Sequence, residues 1–203
     1  MATLQELADF WSAEGINYVI PPVGGEFPEG FDVREMLRKI IDPSGGVLEV
    51  GCGYGRLSAA FPADKYVGVD VNPTAIEQAR KRNPEHRYLV IEPGADLPEA
   101  NSALIYTVAL HVSDQALDEF LTPICKAANT IVIAEIMDER WRRDGVPPVF
   151  NRDPEAYVGA MRLQGFELLQ YGKVVYERYN NANWNVNHDV RLTVHIYRRK
   201  EMR

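Results

Sequence analysis

Cysteine is scarce in this 203-residue chain, which has two, Cys52 and Cys125. Cys52 lies between glycines, where a bridge would distort the turn, so a disulfide framework is excluded and a reducing cytoplasm is the expected compartment. No Cys and His residues cluster at zinc-ligand spacing, and no metal is expected. No apolar run reaches the ~18 residues a membrane helix needs. The first ten residues carry Glu6 and Asp9 and no basic stretch, unlike a signal peptide. Basic charge is also short, with a net charge of −7. The basic runs, Arg80-Lys81-Arg82, Arg142-Arg143 and Arg198-Arg199-Lys200, are brief and read as solvated element ends. Nucleic acid is therefore disfavoured as a partner, because phosphate binding needs a basic face. A Gly-Lys-Ser/Thr phosphate loop is missing, which removes support for a nucleotide triphosphatase.

What remains is ordinary globular composition, 46% hydrophobic and 25% charged. The expected organisation is one domain over 1–203. It comprises a helical N-terminal extension (1–44), a cofactor-binding half (45–136) and a substrate-side half (137–203). Leu4, Leu7, Ala8 and Trp11 share one helix face, predicting a helix over 3–14 that Gly15 ends. Asp32 and Glu35 form a capping-box pattern for a second helix reaching about Ile41. Strands are then expected at 47–50, 66–70, 87–91, 104–108 and 130–136. Helices are expected over 56–61, 73–82 and 114–127. This alternation predicts a doubly wound, mostly parallel α/β sheet. A helix from Asp153 to Leu163 follows. Strands at 166–171 and 191–198, with no helix between them, predict an antiparallel pair at one sheet edge.

The segment Glu49-Val50-Gly51-Cys52-Gly53-Tyr54-Gly55 follows a strand. Glycines there let the backbone turn sharply and approach a ligand. N–H groups at the start of the expected helix would meet a polar group. Asp70 ends the next strand, nineteen residues after Gly51, where a carboxylate can accept hydrogen bonds from ribose. A dinucleotide fingerprint would place its third glycine at position 56, which is Arg56.

The motif Glu49 to Leu57 resembles the first motif of class I S-adenosylmethionine-dependent methyltransferases. Asp70-Val71-Asn72 is similar to their acidic motif after strand two. Ile105 to Val112 resembles their fourth-strand motif, and Leu163-Gln164-Gly165-Phe166-Glu167 their turn before strand six. The resemblance spans roughly 45–199, with the motifs in order. It implies a seven-stranded Rossmann-like sheet with an antiparallel edge strand, and S-adenosyl-L-methionine as cofactor. It further implies that Gly51, Cys52, Gly53, Tyr54 and Gly55 line the cofactor's methionine and ribose. Glu49 would sit near the ammonium, Asp70 and Asn72 at the ribose, and Val71 against adenine. Val108 and Ala109, within 108–111, would border the sulfonium. The family's Gly-Asp-Ala after strand three is absent. Glu92, Asp96 or a backbone carbonyl is left to meet the adenine amine.

Methyl transfer gains mostly from proximity and orientation, and needs a base only when the acceptor must lose a proton. His111, after strand four, and Glu135, ending strand five, are the candidate catalytic residues. Alternatively, His111 is a structural histidine bonded to backbone, and Glu135 pairs with Arg140 or Arg142. His188 reads as a surface residue. Three segments, 16–31, 137–152 and 176–189, carry Tyr18, Phe27, Phe31, Trp141, Phe150, Tyr176, Tyr179 and Trp184 for a substrate pocket or lid. No Asn/Asp-Pro-Pro-Tyr/Phe motif follows strand four, which weakens amide and exocyclic amine acceptors. A small-molecule acceptor is the expectation. A nucleic-acid or protein methyltransferase, a nicotinamide oxidoreductase and a non-catalytic cofactor-binding module stay open. The oligomeric state is not legible.

Overall fold

The computed structural model describes residues 3–13, 33–145, 147–175 and 191–201. Helix α1 (Leu4–Ser12) starts at a reciprocal cap. The Thr3 hydroxyl accepts from the Glu6 N–H at 3.2 Å, and the Glu6 carboxylate accepts from the Thr3 N–H at 2.7 Å. Helix α2 (Val33–Ile40) buries Val33 and Leu37. Its expected cap, Asp32, and the expected stop of α1 at Gly15 lie outside the described residues. None of the described helices is long and apolar enough to cross a membrane.

Seven strands form one sheet: β1 (Val47–Val50), β2 (Tyr66–Asp70), β3 (Arg87–Val90), β4 (Ala100–Tyr106), β5 (Ala128–Ile136), β6 (Phe166–Val175) and β7 (Arg191–Arg199). Their order is β3-β2-β1-β4-β5-β7-β6. The first five run parallel, and β7 pairs antiparallel with both β5 and β6. The antiparallel pair therefore does occupy one edge. Within it β7 is the inner strand and β6 the outer. This explains why both sides of β7's alternation are buried, Leu192, Val194 and Ile196 on one face and Thr193, His195 and Tyr197 on the other. Helices α3 (Pro73–Arg82), α4 (Leu117–Ala127) and α5 (Pro154–Leu163) complete the wrapping. Leu37, Ile76, Leu104 and Val132 make the core on one side of the sheet. Leu48, Ile105, Leu121, Ile133 and Met161 make it on the other.

Two expectations need correction. The helix expected over 56–61 is only a 3-10 turn, Ser58–Ala60, followed by a second, Ala63–Lys65. Pro62 explains this: it forces Phe61 into an extended conformation (φ −125°, ψ 151°), so no helix can propagate. The fourth strand, expected at 104–108, runs from Ala100 to Tyr106 and stops where Thr107 takes φ +53°. The strand order reverses between β1 and β4, and at that switch point the crevice beyond the strands' carboxyl ends is where ligands bind.

Candidate active site

At this switch point lies a cleft of about 270 Å³. Its floor is the glycine turn after β1. Gly51, Gly53 and Gly55 all have positive φ, at +73°, +50° and +68°. The three differ in what surrounds them. A Cβ on Gly51 would lie 2.4 Å from Val108 Cγ2, so the turn and the end of β4 touch through a missing side chain. A Cβ on Gly53 would meet nothing within 4 Å, because this residue faces the open cleft. A Cβ on Gly55 would press on the Tyr88 hydroxyl at 2.6 Å. Gly55 thus packs against the protein interior and does not line the cleft, contrary to the expectation for it.

Most of the turn's N–H groups are taken by the protein itself. Those of Gly51 and Cys52 donate to the Val69 carbonyl at 2.8 and 3.0 Å, and that of Gly55 to the Cys52 carbonyl at 2.9 Å. The N–H of Gly53 donates to Asp70 Oδ2 at 2.8 Å. With no α-helix following the turn, a cradle of free N–H groups at a helix start is not what this chain builds. The other oxygen of Asp70, Oδ1, accepts from the Asn72 N–H at 2.9 Å. A carboxylate has about four lone-pair positions, so acceptor capacity is left for a ligand. Burial pushes the Asp70 carboxyl above its ordinary range, and its backbone donors hold it down.

Glu49 lines the cleft while only 3% exposed. The Tyr66 hydroxyl donates to its Oε2 at 2.6 Å. Burial raises its carboxyl to about 7, against the lowering effects of Tyr66 and Arg56. A buried carboxyl of this kind gains from a cation placed beside it. Asn72 serves three groups. Its Oδ1 caps α3 by accepting from the Ala75 N–H at 2.9 Å, its N–H binds Asp70, and its Nδ2 donates to the Trp11 carbonyl at 2.7 Å. Helix α1 is thereby tied over the cleft, which Leu4, Leu7, Ala8 and Trp11 roof.

The loop after β4 forms the opposite wall. Thr107 holds a positive φ of 53°, strained for a β-branched residue. The Arg56 guanidinium lies 4.8 Å from the Tyr106 ring centroid and donates to Thr107 Oγ1 at 3.4 Å. A 3-10 turn, Ala109–His111, follows. His111 is half-buried at the cleft wall, 4.7 Å from the Trp11 ring. Its Nδ1 meets the Pro148 carbonyl at 3.2 Å, which requires a proton on Nδ1 and leaves the Nε2 lone pair free of it. Burial and the charge of Arg143 push the imidazole down to about 4, against the pull of Pro148, so the ring is neutral at physiological pH.

Of the residues expected at the cofactor, Glu49, Gly51, Cys52, Gly53, Tyr54, Asp70, Val71, Asn72, Glu92 and Val108 line the cleft. Cys52 does so as a buried thiol held well above its ordinary range. Between Glu92 and Asp96, Glu92 is the one on the cleft wall. Ala109 is not on it; its N–H donates to Glu135 Oε1 at 2.7 Å. Glu135 is also away from the cleft lining, buried, with Oε1 accepting from the N–H groups of Val108 and Ala109. It pairs with neither Arg140 nor Arg142, which bind Asp138 and Asp114. A group so placed holds the loop after β4 through two of its N–H groups.

Sequence reasoning gave no role to Arg56, Tyr106 and Thr107, to the roof formed by α1 or to the Phe120, Pro123 and Ile124 wall from α4, nor to Arg152, which donates to the Ala109 and Val112 carbonyls. Arg56 lies within the motif Glu49 to Leu57, and Tyr106 and Thr107 within Ile105 to Val112, but the motifs assign none of the three a role. Tyr18, Phe27, Phe31, Tyr176, Tyr179, Trp184 and His188 lie outside the described residues.

Comparison with known proteins decides between the cofactor classes this cleft admits. Residues 47–129 match the family model described as the methyltransferase domain. Over these residues the chain is similar to methyltransferase domains, which supports S-adenosylmethionine as the ligand of the cleft. Trans-aconitate 2-methyltransferase of Rhizobium meliloti (strain 1021) is 32% identical over 82 residues, covering 38% of this chain and 32% of that protein. The chain thus matches about a third of the length of that curated relative. Magnesium protoporphyrin IX methyltransferase (ChlM) from Synechocystis PCC 6803 superposes with a TM-score of 0.67 at 11% identity, covering 98% of each chain. The cyclase SpnF superposes with a TM-score of 0.68 at 15% identity, covering 84% of this chain and 80% of that one. At such identities these two structures speak to the methyltransferase fold alone.

Proposed function

We propose that this chain takes S-adenosylmethionine into the cleft and methylates a small-molecule acceptor. The observation that carries the proposal is that Gly53, Glu49, Asp70 and His111 line one cleft. The residues suit the donor. Gly53 leaves room where a side chain would stand, Asp70 keeps acceptor capacity for ribose hydroxyls, and Glu49 is a buried carboxyl in want of a cation. Val71 and Glu92 would flank the adenine. When bound, the donor supplies an electrophilic methyl group on a sulfonium whose leaving thioether is neutral.

The chain's own contribution is placement and proton handling. Helix α1 supplies an apolar lining to the cleft through Leu4, Leu7, Ala8 and Trp11. His111 Nε2 faces the acceptor as a neutral hydrogen-bond acceptor. An alcohol or phenol would pass its proton there as its oxygen becomes acidic on methylation. A carboxylate acceptor would have no proton to lose, and His111 would only orient it. The matched curated relatives are named for trans-aconitate, which supports a small acceptor, as does the net charge of −7. SpnF is described as a cyclase, which keeps a non-methylating use of the cleft as a second reading.

Calorimetry with S-adenosylhomocysteine tests the donor site, with NADH as comparison and Asp70→Ala as the variant. We expect binding of the first ligand only, weakened tenfold or more in the variant. Lack of binding to the wild-type protein removes the proposal. Binding without transfer of labelled methyl to a panel of small carboxylic acids, phenols and alcohols supports the second reading.

A further inference from the structure

Beneath His111, two buried ionisable side chains, Glu135 and Arg152, hold one turn from opposite ends. The turn Ala109–His111 is too short to satisfy its own terminal groups. At its start, Glu135 Oε1 accepts from the N–H groups of Val108 and Ala109 at 2.8 and 2.7 Å. At its end, Arg152, only 4% exposed, donates from Nη1 to the Ala109 carbonyl at 3.0 Å and from Nη2 to the Val112 carbonyl. Its Nε donates to Asp114 Oδ1 at 2.7 Å, and Asp114 also binds Arg142. The segment that carries Arg152 makes two more attachments to the same turn. The Phe150 N–H donates to the Leu110 carbonyl at 2.7 Å, and the Pro148 carbonyl takes the His111 Nδ1 proton.

We propose that Arg152 is a positioning residue for His111: by latching the 148–152 segment to the Ala109–His111 turn, it sets the ring's tautomer and its placement at the cleft. This rests on the reading that His111 faces the acceptor. The geometry requires an arginine. Three acceptors at Ala109, Val112 and Asp114 are met by three separate N–H groups of one planar fork, which a lysine ammonium cannot span. A guanidinium serving only to pack the interior would not need to place its donors on two carbonyls, Ala109 and Val112, that bracket one turn. Groups facing the imidazole are the Trp11 ring, the Pro148 carbonyl and the charge of Arg143, and none of these replaces the latch from below.

The test is nitrogen-15 histidine NMR on the whole chain, with the His111 signal assigned by its loss in His111→Asn. In wild type we expect the Nδ1–H tautomer and a titration midpoint near 4. In Arg152→Lys we expect mixed tautomers and a midpoint raised toward the ordinary ~6.5. Affinity for S-adenosylhomocysteine should stay within about threefold, because the donor-side residues are untouched. A folded Arg152→Lys protein with wild-type tautomer and midpoint overturns the proposal. If that variant fails to fold, Asp114→Asn, which weakens one of the three attachments, should move the midpoint in the same direction by less; no movement overturns the proposal equally. Absence of S-adenosylhomocysteine binding to wild type would count against the methyltransferase reading and leave the His111 titration unaffected, so the two failures are distinct.

Discussion

Binding of S-adenosylhomocysteine should expel protons from Glu49. In the ligand-free protein this carboxyl is raised to about 7, so at pH 7 close to half the molecules carry it protonated. An ammonium arriving beside it lowers a carboxyl by ~1–3 pH units, and a lowering of ~2 would leave it ionised in the complex. The expected release is then ~0.5 proton at pH 7 and ~0.8 at pH 6, vanishing above pH 8. Affinity should accordingly improve from pH 6 to pH 8, approaching tenfold per pH unit at the acidic end, ~1.4 kcal/mol each. Calorimetry at each pH in buffers of different ionisation enthalpy reads the proton count as the slope of apparent heat against buffer heat. Glu49→Gln keeps an acceptor for the Tyr66 hydroxyl but cannot titrate, and should abolish the slope. Binding with no slope at pH 6, or a slope unchanged in Glu49→Gln, would refute the placement of the cation at Glu49.

The packed and the open face of the glycine turn predict opposite mutational signatures. Gly51→Ala forces a Cβ to 2.4 Å from Val108 Cγ2 at a positive φ, and should cost on the order of 2–5 kcal/mol of stability in denaturant melts. Gly53→Ala meets open space, so it should cost only ~1–2 kcal/mol while weakening S-adenosylhomocysteine binding; equal destabilisation would contradict the assignment of faces. Asn72→Ala removes the α3 cap, about 1 kcal/mol, and the tether to Trp11. Hydrogen exchange along α1 should then accelerate, and unchanged protection would show that the roof is held by other means. Burial raises Glu49 to about 7 and Glu135 to about 8. The neutral forms favour the fold, so their contribution is complete below the unfolded value of ~4.5 and is lost as pH rises through 7 to 8. Stability should fall between pH 6 and pH 8 by on the order of 1 kcal/mol per pH unit for each carboxyl still neutral in the fold, and a flat profile would be inconsistent with that burial.

Local pattern made the sheet, the glycine turn, Asp70 and His111 legible, because each follows from a period or a motif within a dozen residues. Other features depend on contacts between distant segments. Nothing near Gly55 says that Tyr88 fills the space beside it, and nothing near Glu135 says that its partners are the N–H groups of Val108 and Ala109. Both residues face away from the cleft for that reason. Arg152 precedes a helix cap in sequence and belongs to no local motif, and its three partners lie 38 to 43 residues earlier. The expected helix after the turn failed on a local signal that was present, Pro62. The roof function of α1 was hidden because amphipathicity shows that a face is covered and not what it covers.

The position of β7 has a consequence for how the molecule is made. This strand is the last of the seven in the chain yet lies between β5 and β6. While the ribosome is still supplying residues beyond β6, the open edge of β5 from Thr130 to Ile136 has no neighbour, and β6 has none on either side. The sheet is closed by insertion, not by extension. Until β7 slots in, the nascent protein carries an apolar strand edge capable of pairing with another chain, so a ribosome stall or premature stop there would yield an aggregation-prone fragment rather than a smaller folded protein.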